Sequence, residues 1–267
     1  MIKITIMGAA GRMGQALIRC ARQIEGLRVV GAVDAEQCPL LGKDAGVVAG
    51  VADIGVLLSA DARTTAHTAD VLIDFSFPSA TVQHALLAAE LKKAMVIGTT
   101  GLNEKESKSI KNVSSKIPIV GSPNMSLGVN LLFALVEQTA KRLASYDIEI
   151  IETHHHHKKD APSGTALRLA ETAAAARGLA VNTVVTHGRQ GMVGERPVGQ
   201  IGIHSVRAGD VIGEHTVVLA TNGERLELTH RAGSRDCFAM GALRAAEWIM
   251  GRKPGLYTMQ DVLEIDR

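Results

Sequence analysis

Residues Ile151 to Ala166 read IETHHHHKKDAPSGTA, which gathers in one stretch the residue types that move protons and hold anions. His154, His155, His156 and His157 stand in succession, Lys158 and Lys159 follow, and a Pro162-Ser163-Gly164-Thr165 turn comes next. Neighbouring residues on an extended chain point to opposite sides, so the histidines cannot all reach one ion; only alternate ones share a face. The lysines put positive charge beside any cation, although Glu152 and Asp160 offer carboxylates nearby, and no resident metal is expected. A solvated basic edge is the plainest alternative. An anion site accounts for more residues. Ser163 is suited to cap a helix whose unpaired N–H groups and positive dipole end attract a carboxylate or phosphate, and Lys158 adds a full charge. A histidine on the same loop, with an ordinary pKa near 6.5, donates protons near neutrality, and the neighbouring cations lower it.

A proton donor beside an anion site needs a partner chemistry, and the opening of the chain offers one. A β-branched run from Ile2 to Ile6 meets a glycine-spaced turn, Gly8-Ala9-Ala10-Gly11-Arg12-Met13-Gly14, then a helical stretch, then a second apolar run from Leu27 to Val33. This is a β-α-β unit whose turn lets a pyrophosphate approach backbone N–H groups at a helix start. The spacing G-x-x-G-x-x-G departs from the commoner G-x-G-x-x-G, and a tight turn closing a helix onto a sheet is its other reading. Asp34 ends the second strand about 20 residues on, where a carboxylate pairs with ribose hydroxyls.

The alternation continues. Val71–Phe75, Ala94–Ile97 and Ile117–Val120 read as buried strands, separated by helices over Ala80–Leu91 and Glu104–Val113, the latter opened by Asn103 and Glu106 in capping-box spacing. The expected class is α/β, with a doubly wound parallel sheet. Ligands bind at the carboxyl ends of such strands, which makes Phe75, Ser76, Gly98, Thr99 and Thr100 further nucleotide-site candidates, each open to a plain loop role. Beyond Met125 the pattern changes. A helix over Gly128–Ala144, the strand leading into the histidines, a helix from Ser163 to Gly178 and strands over Val198–Val206, Val211–Leu219 and Arg225–Arg231 predict an α+β domain with an open mixed sheet. A last helix, DCFAMGALRAAEWIM, returns to the first domain. The expected boundaries are 1–126 with 236–267, and 127–235. Together the halves point to hydride reduction of a small anionic substrate at a carbon whose adjacent heteroatom needs a proton.

Composition narrows the classes. The 267 residues are 46% hydrophobic and 21% charged with a net charge of +2, which excludes disorder and argues against nucleic-acid or membrane surfaces as partners. Cys20, Cys38 and Cys237 are scattered and form no C-x-x-C pair. The opening MIKITIMG has no basic, apolar and cleavage regions in succession, and no apolar run approaches about 18 residues, so a cytoplasmic location is expected.

The stretch ETHHHHKKDAPSGTA resembles the signature E-x-H-H-x-x-K-x-D-x-P-S-G-T-A of the dihydrodipicolinate reductase family. GAAGRMG, DFSFP, GTTG, SPNMS, GEHTV and SRDCFAMGA extend the resemblance in order along the chain. It implies a Rossmann-like N-terminal domain, a C-terminal substrate and assembly domain, and a homotetramer. It also implies reduction of 4-hydroxy-tetrahydrodipicolinate to tetrahydrodipicolinate with NADH or NADPH, in lysine and diaminopimelate biosynthesis. By the same resemblance His154 is the general acid and Lys158 steers substrate and supports proton transfer. His155, Ser163, Gly164 and Thr165 match positions that bind a substrate carboxylate; Gly11, Arg12 and Met13 match the phosphate turn; Gly98, Thr100, Asn124, Met125, Arg235 and Phe238 match positions around the nicotinamide. His156, His157 and Lys159 receive no role.

Asp34 followed by Ala35 favours an unphosphorylated ribose, because the carboxylate repels a 2′-phosphate and no arginine follows; NADH is the expected preference, with NADPH possible through Lys43 or another basic residue. Two alternatives remain at this stage. One is a different Rossmann oxidoreductase acting on a small carboxylate, such as a semialdehyde dehydrogenase, which needs an activated cysteine. The other is a non-catalytic NAD(P) sensor.

Overall fold

The computed structural model describes residues 1–265. The chain forms two compact units, Met1–Leu127 with the chain from Arg235 on, and Gly128–Ser234.

The first unit is built on β1 (Ile2–Met7), β2 (Leu27–Val33), β3 (Leu58–Ser59), β4 (Val71–Asp74), β5 (Ala94–Ile97) and β6 (Pro118–Gly121). The second contributes β7 (Asp147–His154), β8 (Val185–His187), β9 (Ile201–Arg207), β10 (Glu214–Thr221) and β11 (Glu224–Arg231), and β12 (Gly255–Tyr257) returns to the first. β12-β6-β5-β4-β1-β2-β3 form one sheet, parallel throughout, with a register shift between Ile4 and Thr5 where β1 meets β2. The order reverses direction at β1, the switch point where such sheets open a crevice for ligands.

Every residue of β4 and β5 is buried, as parallel strands covered on both faces require. Alternate residues feed separate cores. Ile4, Ile73 and Val96 pack with Leu17, Leu243 and Ala246 from the helices Arg12–Ala21 and Asp236–Trp248. Leu72, Met95 and Ile119 pack with Ala85, Ala88 and Ile110 from Pro78–Glu90 and Glu104–Val113 on the other face. The Asn103–Glu106 capping box closes in both directions, at 2.8 and 3.0 Å.

The second unit holds the sheet β11-β10-β7-β9-β8, antiparallel between β11, β10 and β7 and parallel from β7 through β9 to β8. Along β7, Ile148, Ile150, Glu152 and His154 are buried while the alternate residues are more open. The buried face is covered by Val129, Leu132 and Val136 of the Leu127–Arg142 helix and by Leu169, Ala170 and Ala173 of Gly164–Ala176.

Several strand starts differ from expectation. The run expected from Val198 becomes a strand only at Ile201, and the one expected from Val211 starts at Glu214. Val211 instead accepts the His155 N–H at 2.7 Å through its carbonyl, so it braces the histidine loop. β3, β8 and β12 were not foreseen; at two or three residues each they carry too little pattern to read.

Candidate active site

In the first unit, the turn after β1 runs straight into the Arg12–Ala21 helix, which has Gly11 as N-cap and no side-chain cap. Its first N–H groups are therefore left for water or a ligand. Gly8 has φ +79°, and a Cβ there would meet the Phe75 carbonyl oxygen at 2.7 Å. Gly8, Gly11, Arg12, Met13, Asp34, Phe75 and Ser76 line one groove of about 540 Å³, with Ala35, Glu36, Phe77 and His84. Arg12, Met13, Phe75 and Ser76 also line a second cavity of about 420 Å³, completed by Gly98, Thr99, Thr100, Asn124, Met125 and Phe238. A Cβ on Gly98 would sit 2.2 Å from the Phe75 ring, so a side chain there would force that ring to move.

Two expected positions lie outside these cavities. Gly14 is buried, and a Cβ would lie 2.3 Å from the Gly8 carbonyl oxygen, so its contribution is close packing of helix on turn. Arg235 is the N-cap residue of Asp236–Trp248 and lines neither cavity.

Asp34 is held by the turn it faces: its Oδ2 accepts the Ala10 N–H at 2.8 Å and its Oδ1 the Ala35 N–H at 2.9 Å. Below the groove lies Asp74, fully buried at the end of β4. Its Oδ1 accepts hydroxyl bonds from Ser76 (2.6 Å), Thr81 (3.1 Å) and Thr99 (3.0 Å), and its Oδ2 lies 2.6 Å from His84 Nδ1. Burial pushes this carboxyl up, but the bonds from His84 and Ser76 outweigh it and hold Asp74 below the usual carboxylate range. The network ties the strand-end loop at Ser76 to the one at Thr99. Neither Asp74, His84 nor Glu36 stood out in the sequence, where each was one polar residue among many.

The second unit gathers the acid-base candidates around another buried carboxylate. Glu152 is completely buried on β7. Its Oε2 lies 2.5 Å from His154 Nδ1, and Arg207 of β9 grips both its oxygens at 3.0 and 2.9 Å. Its Oε1 also accepts the Ser163 N–H at 3.1 Å. Burial works against ionisation here, yet the bonds from Arg207 and His154 hold the carboxyl down at about 2. His154, 9% exposed, is pushed below its ordinary value by burial; Glu152 pulls it up, and Lys158 and Arg207 push it down. With an ionised carboxylate at Nδ1, that nitrogen keeps its proton, and Nε2 is the atom that exchanges one. A Cβ on Gly213 would come within 3.0 Å of this Nε2, so glycine keeps the imidazole's exchanging edge clear.

The loop after His154 turns tightly, with Lys158 N–H donating to the His155 carbonyl at 3.1 Å. Lys158 Nζ pairs with Asp160 at 2.9 Å, and the Asp160 carbonyl accepts from Arg207 at 2.7 Å. Ser163 caps Gly164–Ala176 by accepting the Ala166 N–H at 3.2 Å. Gly164 is exposed, with nothing within 4 Å of its Cβ position, and Thr165 is half-buried on the same helix start. His156 and His157 stand exposed against each other, ring centroids 3.9 Å apart. Among the described residues no three His, Cys, Asp or Glu side chains converge as metal ligands. The expected set thus divides: the nucleotide candidates sit in the first unit, while His154, His155, Lys158, Ser163, Gly164 and Thr165 sit together in the second. Glu152, Arg207 and His215, whose Nε2 lies 3.1 Å from Ser163 Oγ, complete the second cluster and were missed as site residues; the alternation of Glu152 with His154 on one strand was the available signal for the first.

Comparison with known proteins agrees with this architecture. Residues 2–125 match the family described as "Dihydrodipicolinate reductase, N-terminus", and residues 128–263 match "Dihydrodipicolinate reductase, C-terminus". The 4-hydroxy-tetrahydrodipicolinate reductase of Parvibaculum lavamentivorans is 52% identical over 267 residues, covering 99% of this chain and 98% of the relative. That of Anaeromyxobacter dehalogenans strain 2CP-C is 49% identical over 264 residues, covering 98% of each. A solved structure described as dipicolinate-bound dihydrodipicolinate reductase from Paenisporosarcina sp. TG-14 aligns over 98% of both chains with a TM-score of 0.78 and 25% identity. An amine dehydrogenase from Mycobacterium smegmatis, at 12% identity and a TM-score of 0.61 over 97% of this chain and 95% of its own, shares the fold alone. With both halves matched in order and half the residues shared with full-length relatives, the chain belongs to the dihydrodipicolinate reductase family.

Proposed function

We propose that this chain reduces 4-hydroxy-tetrahydrodipicolinate to tetrahydrodipicolinate with NAD(P)H, serving lysine and diaminopimelate biosynthesis. The observation that carries the reading is the single buried carboxylate of Glu152, which bonds both His154 and the Ser163 N–H and so locks a proton donor to an anion-binding helix start.

When bound, the reduced nicotinamide would supply a hydride to substrate C4 once the hydroxyl and a ring proton have left together as water, leaving a conjugated imine. The first unit's residues fit such a group. The uncapped helix start at Gly11, Arg12 and Met13 suits the pyrophosphate, Asp34 the adenosine ribose, and Gly98, Thr99, Thr100, Asn124, Met125 and Phe238 the nicotinamide half. Preference for NADH follows from charge: Asp34 and Glu36 both line the adenosine-side groove, where a 2′-phosphate would face two carboxylates, and Lys43 does not line it.

Lys158 and the Ser163-Gly164-Thr165 helix start hold one ring carboxylate, with His155 beside them. His154 Nε2 then delivers a proton to the carbon adjacent to C4. Glu152 fixes the ring and stabilises the imidazolium. The substrate's two negative charges offset Lys158 and Arg207, which raises the proton affinity of His154 once substrate is in place. Lys158 thus both binds and biases the acid.

A homotetramer is supported by the open face of the second sheet, where Ile151 and Val206 are each about 40% exposed, and by the loop carrying Met192 and Val198 fully in solvent. Among the described residues no helix is long and apolar enough to cross a membrane, and a cytoplasmic location fits a biosynthetic reductase. Expression in a bacterium lacking this reductase tests the function. Growth without added diaminopimelate is the expected result, and continued auxotrophy with folded protein present would count against it.

A further inference from the structure

Ser163 has one hydroxyl proton and two lone pairs. One lone pair takes the Ala166 N–H, the bond that caps the helix. His215 Nε2 lies 3.1 Å from the same oxygen. Which of this pair donates depends on where the imidazole carries its proton.

His215 sits on β10, opposite Glu152 of β7 and His230 of β11. It is 4% exposed and packs edge-on against His154, ring centroids 5.3 Å apart and planes at 76°. Burial, then His154, His230 and Lys158, push its pKa down to about 3, with Glu152 alone pulling it up. The ring is therefore neutral and has a single N–H. Its Nδ1 is buried without a hydrogen-bond partner. A proton on Nδ1 would be an orphaned buried N–H, which is rarer in folded proteins than an under-used acceptor. The proton therefore belongs on Nε2, where Ser163 Oγ receives it.

We infer that His215 is a positioning residue for the substrate carboxylate: its Nε2–H donates to Ser163 Oγ, fills that oxygen's second lone pair and turns the Ser163 hydroxyl into an obligate donor. With the Ala166 N–H and His215 occupying both lone pairs, the hydroxyl proton has no use within the cluster and is free for an incoming acceptor. The helix start then accepts a carboxylate oxygen and rejects an amide N–H or an ammonium group. The same histidine that walls one side of the proton donor thus sets the selectivity of the anion site. This rests on the assignment of Ser163 to a substrate carboxylate made above.

A long-range ¹H–¹⁵N spectrum of the histidine-labelled chain at neutral pH reads the tautomer directly. An Nε2–H signal for His215 is expected, and an Nδ1–H or doubly protonated ring overturns the inference. Kinetics of His215→Met, His215→Gln, Ser163→Ala and the Ser163→Ala/His215→Met double variant test its consequence, with melting curves alongside. His215→Met should raise substrate KM about tenfold, the weight of one hydrogen bond to a charged group, while NADH affinity stays unchanged. His215→Gln, whose amide N–H replaces Nε2–H, should recover most of it, and His215→Met should add nothing to Ser163→Ala. An equal rise in KM with and without the Ser163 hydroxyl overturns the positioning role and leaves the Ser163 assignment standing. An unchanged KM in Ser163→Ala sinks that assignment itself, and the inference with it. Should His215→Met not fold, the tautomer of the unmodified chain decides.

Discussion

Arg207 holds both carboxylate oxygens of Glu152, 55 residues away in sequence, while the same carboxylate meets His154 Nδ1 at 2.5 Å. This pairing makes the His154 imidazole part of the sheet's interior: β7 supplies Glu152 and His154, and β9 brings Arg207 opposite His154. Replacing Glu152 by Gln keeps the shape but removes the charge that raises the proton affinity of His154. As the proposed acid His154 must be protonated, so kcat/KM should fall as pH rises through its pKa, which burial holds below the ordinary imidazole value. In Glu152→Gln this descending limb moves to still lower pH, and kcat at neutral pH falls about 100-fold, within the usual weight of general-acid catalysis. A pH–rate series on the two proteins checks both.

Acid should unfold the protein through carboxylates held low in the folded state. Glu152 and Glu149 both sit at about 2 when folded, the latter gripped by Arg189, His204 and Arg196. A carboxyl depressed on folding stabilises above its unfolded pKa of about 4.3 and loses that stabilisation as pH falls toward its folded value. Each shift of this size is worth roughly 3 kcal/mol at most. Urea titrations should therefore show stability dropping between about pH 5 and pH 2. Glu149→Gln should be less stable at pH 7 and lose less on acidification; an unchanged slope would show that Glu149 is not held low.

Asp34→Asn keeps an oxygen for the Ala10 N–H and removes one negative charge from the groove that Asp34 shares with Glu36, the proposed adenosine side. The wild-type chain should favour NADH over NADPH in kcat/KM by about tenfold or more, and the variant should narrow the ratio chiefly by improving NADPH. A wild-type preference for NADPH would refute the role given to Asp34.

Asp74→Ala leaves His84 and three hydroxyls without their common acceptor in a fully buried position. A loss of about 3 kcal/mol is expected from denaturant titration, with weaker NADH binding because the Ser76 and Thr99 loops lose their tie. Unaltered cofactor affinity in a destabilised variant would separate the network from the nucleotide site.

How much of this was legible beforehand depended on range along the chain. The β-α-β opening, the Asn103 capping box and the Ser163 cap are local patterns, written within a few residues, and the structure contains each. The edge strands β3, β8 and β12 owe their pairing to neighbours already in place and carry no signature of their own. The partners of the site residues were hidden for the same reason. His215 meets Ser163 across 52 positions and Arg207 meets Glu152 across 55, so only the strand order β10-β7-β9 reveals that they belong to one cluster. Asp74 and His84 are ten residues apart, but their pairing requires a strand end and the following helix to face each other, which spacing alone does not specify.

The most direct test is NADH and NADPH oxidation by the purified chain, with substrate generated in place from pyruvate and aspartate semialdehyde by the preceding synthase. Oxidation that requires the synthase, is faster with NADH, and falls about 1,000-fold in His154→Gln while NADH affinity is retained is the predicted result. No oxidation with either nucleotide, in a chain shown to bind NADH, would contradict it.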